Sequence, residues 1–582
     1  MKGAEIPHHP GWRGLATPWE LARLDRADSA PGEWIPATVP GAVQLDWARA
    51  KGLPDFAQGR NVRLYDGLED FDWLYRTRVP GVALAEGEEL VFACGGVDYA
   101  CEVRLGGRVV GRHEGLFTPF EVDLAGYPAG TALEILVLPA PKLAGAPADR
   151  SQARHVCKPA VSYGWDWHPR LIPLGLWATA QFVARPRRHL GHADFAYVLS
   201  DDLSCAEITV TAETTGALRW RLLDPEGRVA LESAAPRAVL GHPRLWWTHD
   251  HGAPELYTLE VEGEGGDLLR RKVGFRRVRL VMAEGSWKQP EGFPKTRSHP
   301  PVTVELNGRA IFAKGSNWVN PDVFPGRITA ETLRPLVELA KGAHFNLLRC
   351  WGGAIVNPEP FFDLCDELGV LVWQEFPLAC NLYPDDPAYL RILDQESRSI
   401  LRRLRQHPCV GIWCAGNELF NSWSGMTDQS LAIRLLNRNC YDLDPATPFL
   451  ATAPLDGMAH GDYRFRNGKG QEVFEIFQKS RNTAYSEFGC GMISPADYLR
   501  TFIPEDELWP PRAGTSWETH HAFNAWEEDM TTWLIPSTIE HYFGPSPDLD
   551  TMAARGSWLQ CVGYQAIFEE ARRQKPGCAM AL

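Results

Sequence analysis

Near residue 300 the hydrophobic period of this chain changes, and that change constrains the fold more than any other feature. Upstream, apolar residues alternate in short runs broken by Gly and Pro; downstream, strand-like runs alternate with segments of helical spacing. A period of two lines one face of a sheet, whereas a period near 3.6 makes an apolar stripe on a helix. β-rich blocks followed by strand-helix alternation read as β-domains ahead of an α/β domain. With 582 residues the chain is long enough for several cores.

The downstream part is the more regular. "AIFAKGSNW" reads as a buried strand, and "TAETLRPLVELAKGAH" as a helix capped by Thr329. "FNLLRCWGG" is the next strand, and "PEPFFDLCDELG" a helix opened by Pro and closed by Gly369. "VLVWQEFP", the helix "DPAYLRILDQESRSILRRLRQH" and the strand "VGIWCAGNE" continue the series. "FLATAP", "GDYRF" and "NTAYSEFG" supply expected strands five, six and seven. Such alternation over almost 300 residues predicts a parallel (β/α)8 barrel. Neither a GxGxxG after a strand nor a GxxxxGK[ST] is present, so nucleotide cofactors have no motif to bind them.

Upstream, "DWLYRTRV", "ELVFACGGV", "CEVRLGGRVVGR" and "ALEILVLPA" predict an antiparallel sandwich. A second all-β block from about residue 185 to 281, the length of an immunoglobulin-like sandwich, follows the short basic join "FVARPRRHLG". The expected domains are 1–184, 185–284 and 285–582.

The net charge of −14 argues against a nucleic-acid partner, because a phosphate backbone is held by clustered Lys and Arg. No run approaches eighteen apolar residues, so no membrane-spanning helix is expected. The opening "MKGAEIPHHPGWRG" has no apolar leader core, and the thirteen Cys form no CxxC pairs. Both features set the expectation of a cytoplasmic protein with free thiols. The 22 Trp are a hint of stacking surfaces for sugars.

Two carboxylates stand out on this frame. Glu418 ends the fourth barrel strand and Glu487 the seventh, and barrel chemistry is mounted at the C-terminal ends of strands. Across the mouth they face one another as the two carboxyl groups of a retaining glycosidase do, about 5 Å apart. Glu418 is then the acid/base and Glu487 the nucleophile, with Asn417 placed to hydrogen-bond the sugar 2-hydroxyl. Adjacent His520 and His521 point apart and come with no ligand set, so no metal is expected.

The order of "LNGRAIFAKGSNW", "NLLRCWGG", "FFDLCDELGVLVWQEF", "HPCVGIWCAGNE" and "YSEFG" resembles glycoside hydrolase family 2, in its β-mannosidase-like branch. "WIPATVPGAVQLDWARAKGLPDFAQGRN", "DFDWLYRTRV" and "YGWDWHPRLIPLGLW" resemble that branch's first sandwich, a galactose-binding-like jelly roll. "HPRLWWTHDHGAPELYTLEV" resembles its immunoglobulin-like domain.

The resemblance implies an exo-acting retaining enzyme that releases β-D-mannose from a β-linked mannoside or related oligosaccharide without a cofactor. It implies Glu418 and Glu487 as the catalytic pair and Asn417 as the 2-hydroxyl contact. Trp165 and Asp166 of "GWDWHP" are implied sugar contacts, Arg349 is placed near the nucleophile, and Trp351 walls the subsite. Trp423 and Tyr463 complete the candidate substrate contacts. The alternatives are a family 2 β-galactosidase, β-glucuronidase or glucosaminidase, or a carbohydrate-binding protein that no longer catalyses.

The chain departs from the family pattern in places. Ala354 stands in "WGGAI" where the family has Gly, and "HGDYRFRNGKG" lacks the usual Trp. "RNGKG" is similar to a carboxylate-binding motif of β-glucuronidases, though it precedes strand seven. The family continues past the position of "KPGCAMAL" with further β-domains. The chain is thus expected either to be a fragment or to make "CAMAL" a minimal eighth strand, and a missing strand would expose two sheet edges.

Overall fold

Residues 2–3, 12–213, 218–263, 268–283, 299–521 and 534–582 are described by the computed structural model. Of the linker "MAEGSWKQPEGFPKTRSHPP", residues 284–298 lie outside them. Two antiparallel sheets, of five and six strands, build the first sandwich; Trp19–Leu24, Asp72–Arg78 and Ala132–Val137 lie side by side at the heart of the larger one. The alternation of "ACEVRL" follows through, because Cys101, Val103 and Leu105 are buried while the residues between them are half-buried.

The second sandwich has sheets of three and four strands closed around Trp220, Leu222, Leu259 and Phe275. Its last strand, Val278–Val281, pairs with Thr303–Leu306 on the far side of the linker. With Arg309–Ile311 they make a small three-stranded sheet of their own between the second sandwich and the barrel.

The barrel strands, in chain order, are β1 (Ala313–Trp318), β2 (Leu347–Cys350), β3 (Leu371–Glu375), β4 (Val410–Cys414), β5 (Phe449–Leu450), β6 (Met458–His460), β7 (Ala484–Glu487) and β8 (Met580–Ala581). They form one parallel sheet in the order β5-β4-β3-β2-β1-β8-β7-β6. Helices α1 (Ala330–Gly342), α2 (Glu359–Leu368) and α3 (Pro387–Leu404) connect the first strands as the periodicity predicts. Thr329 caps α1 through the Thr332 amide, a contact worth about 1 kcal/mol, and Asp386 caps α3. Gly369 closes α2 at φ +71°, the left-handed turn that glycine adopts without a Cβ clash. β1 and β2 approach so closely at Gly315 that a Cβ there would lie 1.7 Å from the Leu347 carbonyl.

Two expectations about strands are resolved. Strand six is "MAH" and not "GDYRF": Gly461 turns the chain at φ +88°, and its amide donates to the Glu487 carbonyl. "CAMAL" does make the eighth strand. Met580 and Ala581 pair with Ala313 and Lys314 of β1, and the Leu582 amide donates to the Tyr485 carbonyl of β7. Two residues suffice to join β7 to β1, so the core has no gap at that position.

The first sandwich is also anchored directly on the barrel. Buried Glu396 of α3 accepts hydrogen bonds from the Leu116 and Phe117 amides, both at 2.6 Å, and from the Thr118 hydroxyl at 2.5 Å. Three donors make the burial of that carboxylate tolerable, which an empty pocket would not. The contact fixes the sandwich against the outer helix that follows β3.

Candidate active site

β2 delivers Arg349 with no exposed surface. Its Nε donates to Oε1 of Glu375, the last residue of β3, at 2.9 Å. Its Nη1 donates to Glu487 Oε1 at 2.5 Å and to Asn317 Oδ1 at 2.7 Å, and Nη2 donates to Asn417 Oδ1 at 2.7 Å. A planar guanidinium with five donors is suited to ordering four groups in this way. Arg349 is not in the cavity wall. It lies behind Glu487, beside the position the resemblance implies for the nucleophile.

Glu487 ends β7 and Glu418 follows β4. One carboxylate oxygen of each, together with a ring nitrogen of His460, lie within 4.8 Å of one another. That proximity fits the roughly 5 Å spacing of a retaining pair better than the roughly 6.5–9.5 Å of an inverting one. Glu418 sits at φ +53°, a conformation unfavourable for a side chain and characteristic of functional positions. The preceding Gly416 packs so tightly that a Cβ would lie 2.2 Å from the Leu378 carbonyl.

His460, at the end of β6, places Nδ1 2.9 Å from Glu418 Oε1 and 3.5 Å from Glu487 Oε2. Tyr463 donates its hydroxyl to Glu487 Oε2 at 2.8 Å. Burial works to raise the Glu487 carboxyl, but the His460 and Arg349 charges and the hydrogen bonds from Arg349 and Tyr463 outweigh it and hold it below the usual carboxylate range. Burial, then the Glu487 charge, pushes the Tyr463 hydroxyl up, so it remains a donor. Glu487 is thus kept ionised, as a nucleophile must be.

The cavity above these groups measures about 670 Å³. Trp165, Asp166 and Trp167, all from the first sandwich, form one wall, and Trp351 stands edge-on to Trp165 with ring centroids 4.8 Å apart. The Val161 amide donates to the Gly353 carbonyl at 3.1 Å, locking the sandwich loop to the turn after β2. Ala354 is accommodated there, buried among Val161, Trp351 and Ala379. Arg150 lies over the Trp165 ring at 4.5 Å. Burial pushes Asp166 up to about 6; the Arg150 charge opposes this, and the charges of Glu487 and Glu418 add to it.

Glu418, Glu487, Asn417, Trp165, Asp166, Trp351, Trp423 and Tyr463 all line this one cavity. Trp423 is the outermost, 57% exposed at the rim. Tyr463 serves the nucleophile as well as the wall. Asn467 and Lys469 of "RNGKG" are not part of the wall: Asn467 Oδ1 accepts from the Lys469 amide in a surface turn. His520 accordingly packs elsewhere, with Nε2 2.8 Å from the Gly59 carbonyl.

His460, Cys380, Arg150, Asn317 and Trp167 line the cavity too, without having been singled out in the sequence. Trp167 was legible in principle, within "GWDWHP". His460 and Cys380 sit in short segments whose strand register only the fold defines.

A family model for the glycosyl hydrolase 2 galactose-binding domain-like region matches residues 19–178. The chain is 26% identical to "Beta-mannosidase B" of Thermothelomyces thermophilus, over 90% of this chain and 68% of that protein. It is 28% identical to "Beta-mannosidase B" of Aspergillus terreus, over 90% and 67%. The crystal structure of the β-D-mannosidase from Dictyoglomus thermophilum superposes with a TM-score of 0.82 at 25% identity, covering 98% of this chain and 73% of that one. The chain therefore spans about two-thirds of the length of these curated relatives, and the resemblance read in its motifs holds along nearly all of it.

Proposed function

We infer, from the chain's place in the β-mannosidase-like branch of glycoside hydrolase family 2, that it is an exo-acting retaining β-glycosidase that removes terminal non-reducing β-D-mannose. The observation that carries the reading is the approach of the Glu418 and Glu487 carboxylates to within 4.8 Å at the floor of a cavity. Glu487, ionised, attacks the anomeric carbon while Glu418 protonates the departing oxygen, leaving a glycosyl ester on Glu487. Glu418 then takes a proton from water, and the hydroxide oxygen displaces Glu487 from the sugar with the original anomeric configuration.

Asn417 has its carbonyl occupied by Arg349, so its amide nitrogen is the group that meets the 2-hydroxyl. The Trp165–Asp166 loop closes one side of the cavity, which supports removal of single terminal residues. Thirteen free cysteines support a reducing, cytoplasmic setting. Among the described residues no helix is long and apolar enough to cross a membrane.

The test is nitrophenol release from p-nitrophenyl β-mannoside, β-glucoside, β-galactoside and β-glucuronide, with Glu418→Ala and Glu487→Ala as controls. Preferred cleavage of the mannoside, lost in both variants, supports the reading. A cooperatively melting protein that cleaves none of them would leave the carbohydrate-binding alternative.

A further inference from the structure

The loop after β3 places a cysteine inside the catalytic constellation. Cys380 is 6% exposed, lines the cavity, and has φ +49°. Its Sγ lies 3.2 Å from Glu418 Oε2 and 3.4 Å from Asn417 Nδ2. A thiol has one weak donor and a weakly accepting sulfur. The amide nitrogen can only donate, so the S–H is directed at Glu418. Asn417 Nδ2 spends one proton on the sulfur and keeps the other for the cavity. Burial, then the Glu418 charge, pushes the thiol well above its ordinary range, so the proton stays on sulfur.

These contacts close a ring. Glu487 accepts from Arg349, Arg349 donates also to Asn417, Asn417 donates to Cys380, Cys380 donates to Glu418, and His460 stands between Glu418 and Glu487. Each oxygen of Glu418 thus has its own partner, His460 at Oε1 and Cys380 at Oε2.

We propose that Cys380 is a positioning residue for the glycosidase reaction, its thiol holding the acid/base Glu418 and the 2-hydroxyl contact Asn417 in their reactive orientations. The proposal rests on the retaining reading above. A thiol suits this position because Glu418 alternates between carboxylate and carboxylic acid during turnover. S–H donates to the carboxylate, and it keeps the carbonyl oxygen of the acid as its acceptor, so neither state strands the buried thiol. An alanine at 380 would offer Glu418 Oε2 and Asn417 Nδ2 nothing, leaving the carboxyl group free to rotate and the amide free to flip.

The consequence is selective. Protonation of the leaving oxygen matters for poor leaving groups and hardly at all for a good one such as dinitrophenolate. Loss of Cys380 should therefore fall on substrates that need the acid. The other groups facing Glu418 are His460, Glu487, Tyr463 and Asp166, and the substitution changes none of them.

The experiment compares kcat/KM of the full chain with Cys380→Ala and Cys380→Ser on methyl β-mannoside and on 2,4-dinitrophenyl β-mannoside, with a thermal melt of each. In Cys380→Ala the methyl mannoside is expected to lose about tenfold or more and the dinitrophenyl mannoside less than about threefold. Cys380→Ser, which keeps a donor and an acceptor, should recover most of the loss.

Equal loss on both substrates, or no loss at all, would overturn the proposal. If the alanine variant fails to fold, Cys380→Gly stands in for it as a polar-free replacement that the φ of +49° accommodates. Failure of the wild-type chain to cleave either mannoside would instead overturn the glycosidase reading and this proposal with it.

Discussion

The guanidinium of Arg349 meets the carboxylate of Glu487 at 2.5 Å from beneath, and none of its surface reaches the cavity. The proposed nucleophile is therefore oriented from the protein side, by a group outside the cavity lining. The same arginine holds buried Glu375 and Asn417, so three strand ends share one cation. Breaking it acts on stability and catalysis together.

Arg349→Met is expected to leave Glu375 without its compensating charge and to destabilise the protein by about 3–5 kcal/mol. Denaturant unfolding measures this. An unchanged midpoint and slope would contradict the buried cluster.

Tyr463→Phe removes one donor from Glu487, whose carboxyl is held below the usual range in part by that hydroxyl. The sign is fixed: with less stabilisation of the ionised form, the acid limb of kcat/KM shifts to higher pH. A shift of about half a unit to one unit is expected, with kcat at the optimum reduced about tenfold.

Asp166, pushed up to about 6, titrates within the working range of many assays. Its ionised form is the better acceptor for sugar hydroxyls, so KM for the mannoside should fall as pH rises through about 6. Asp166→Asn is expected to remove that dependence and lower kcat/KM by about 10- to 100-fold. A variant whose KM keeps the wild-type pH dependence would place the titration elsewhere.

His407 lies outside the site, with Nδ1 2.7 Å from Asp366 and Nε2 3.0 Å from Glu359. Burial opposes its charge, but the two carboxylates outweigh burial and raise it to about 10. A raised folded-state value stabilises fully below the unfolded value, about 6.5, and the contribution is lost as pH climbs towards 10. His407→Gln should cost about 2–3 kcal/mol at pH 6, mostly through Asp366 since Glu359 is partly exposed and solvent-screened, and much less at pH 10. Melting curves at the two pH values test the difference.

The proposed catalytic pair was legible because Glu418 stands just beyond, and Glu487 at, the end of a strand that the periodicity had already numbered. Trp351, Trp165 and Asp166 were reached through motif resemblance, and the cavity gathers all three. The register of strand six was misread, since three residues carry too little pattern to separate "MAH" from the more strand-like "GDYRF". That slip hid His460, although it stands between the two glutamates.

Local pattern determined what lies near in sequence: periodicity, caps, glycine turns, and hence the order of strands and the residues at their ends. Whether "CAMAL" completes the sheet was decided only when β7 and β1 came together around it. Likewise only the folded barrel set Arg349 under Glu487, aimed Cys380 at Glu418, and brought a sandwich loop about 250 residues upstream over the mouth. Hydrogen bonds and charges act over a few ångströms, and those separations are set by packing of the whole chain rather than by neighbouring residues.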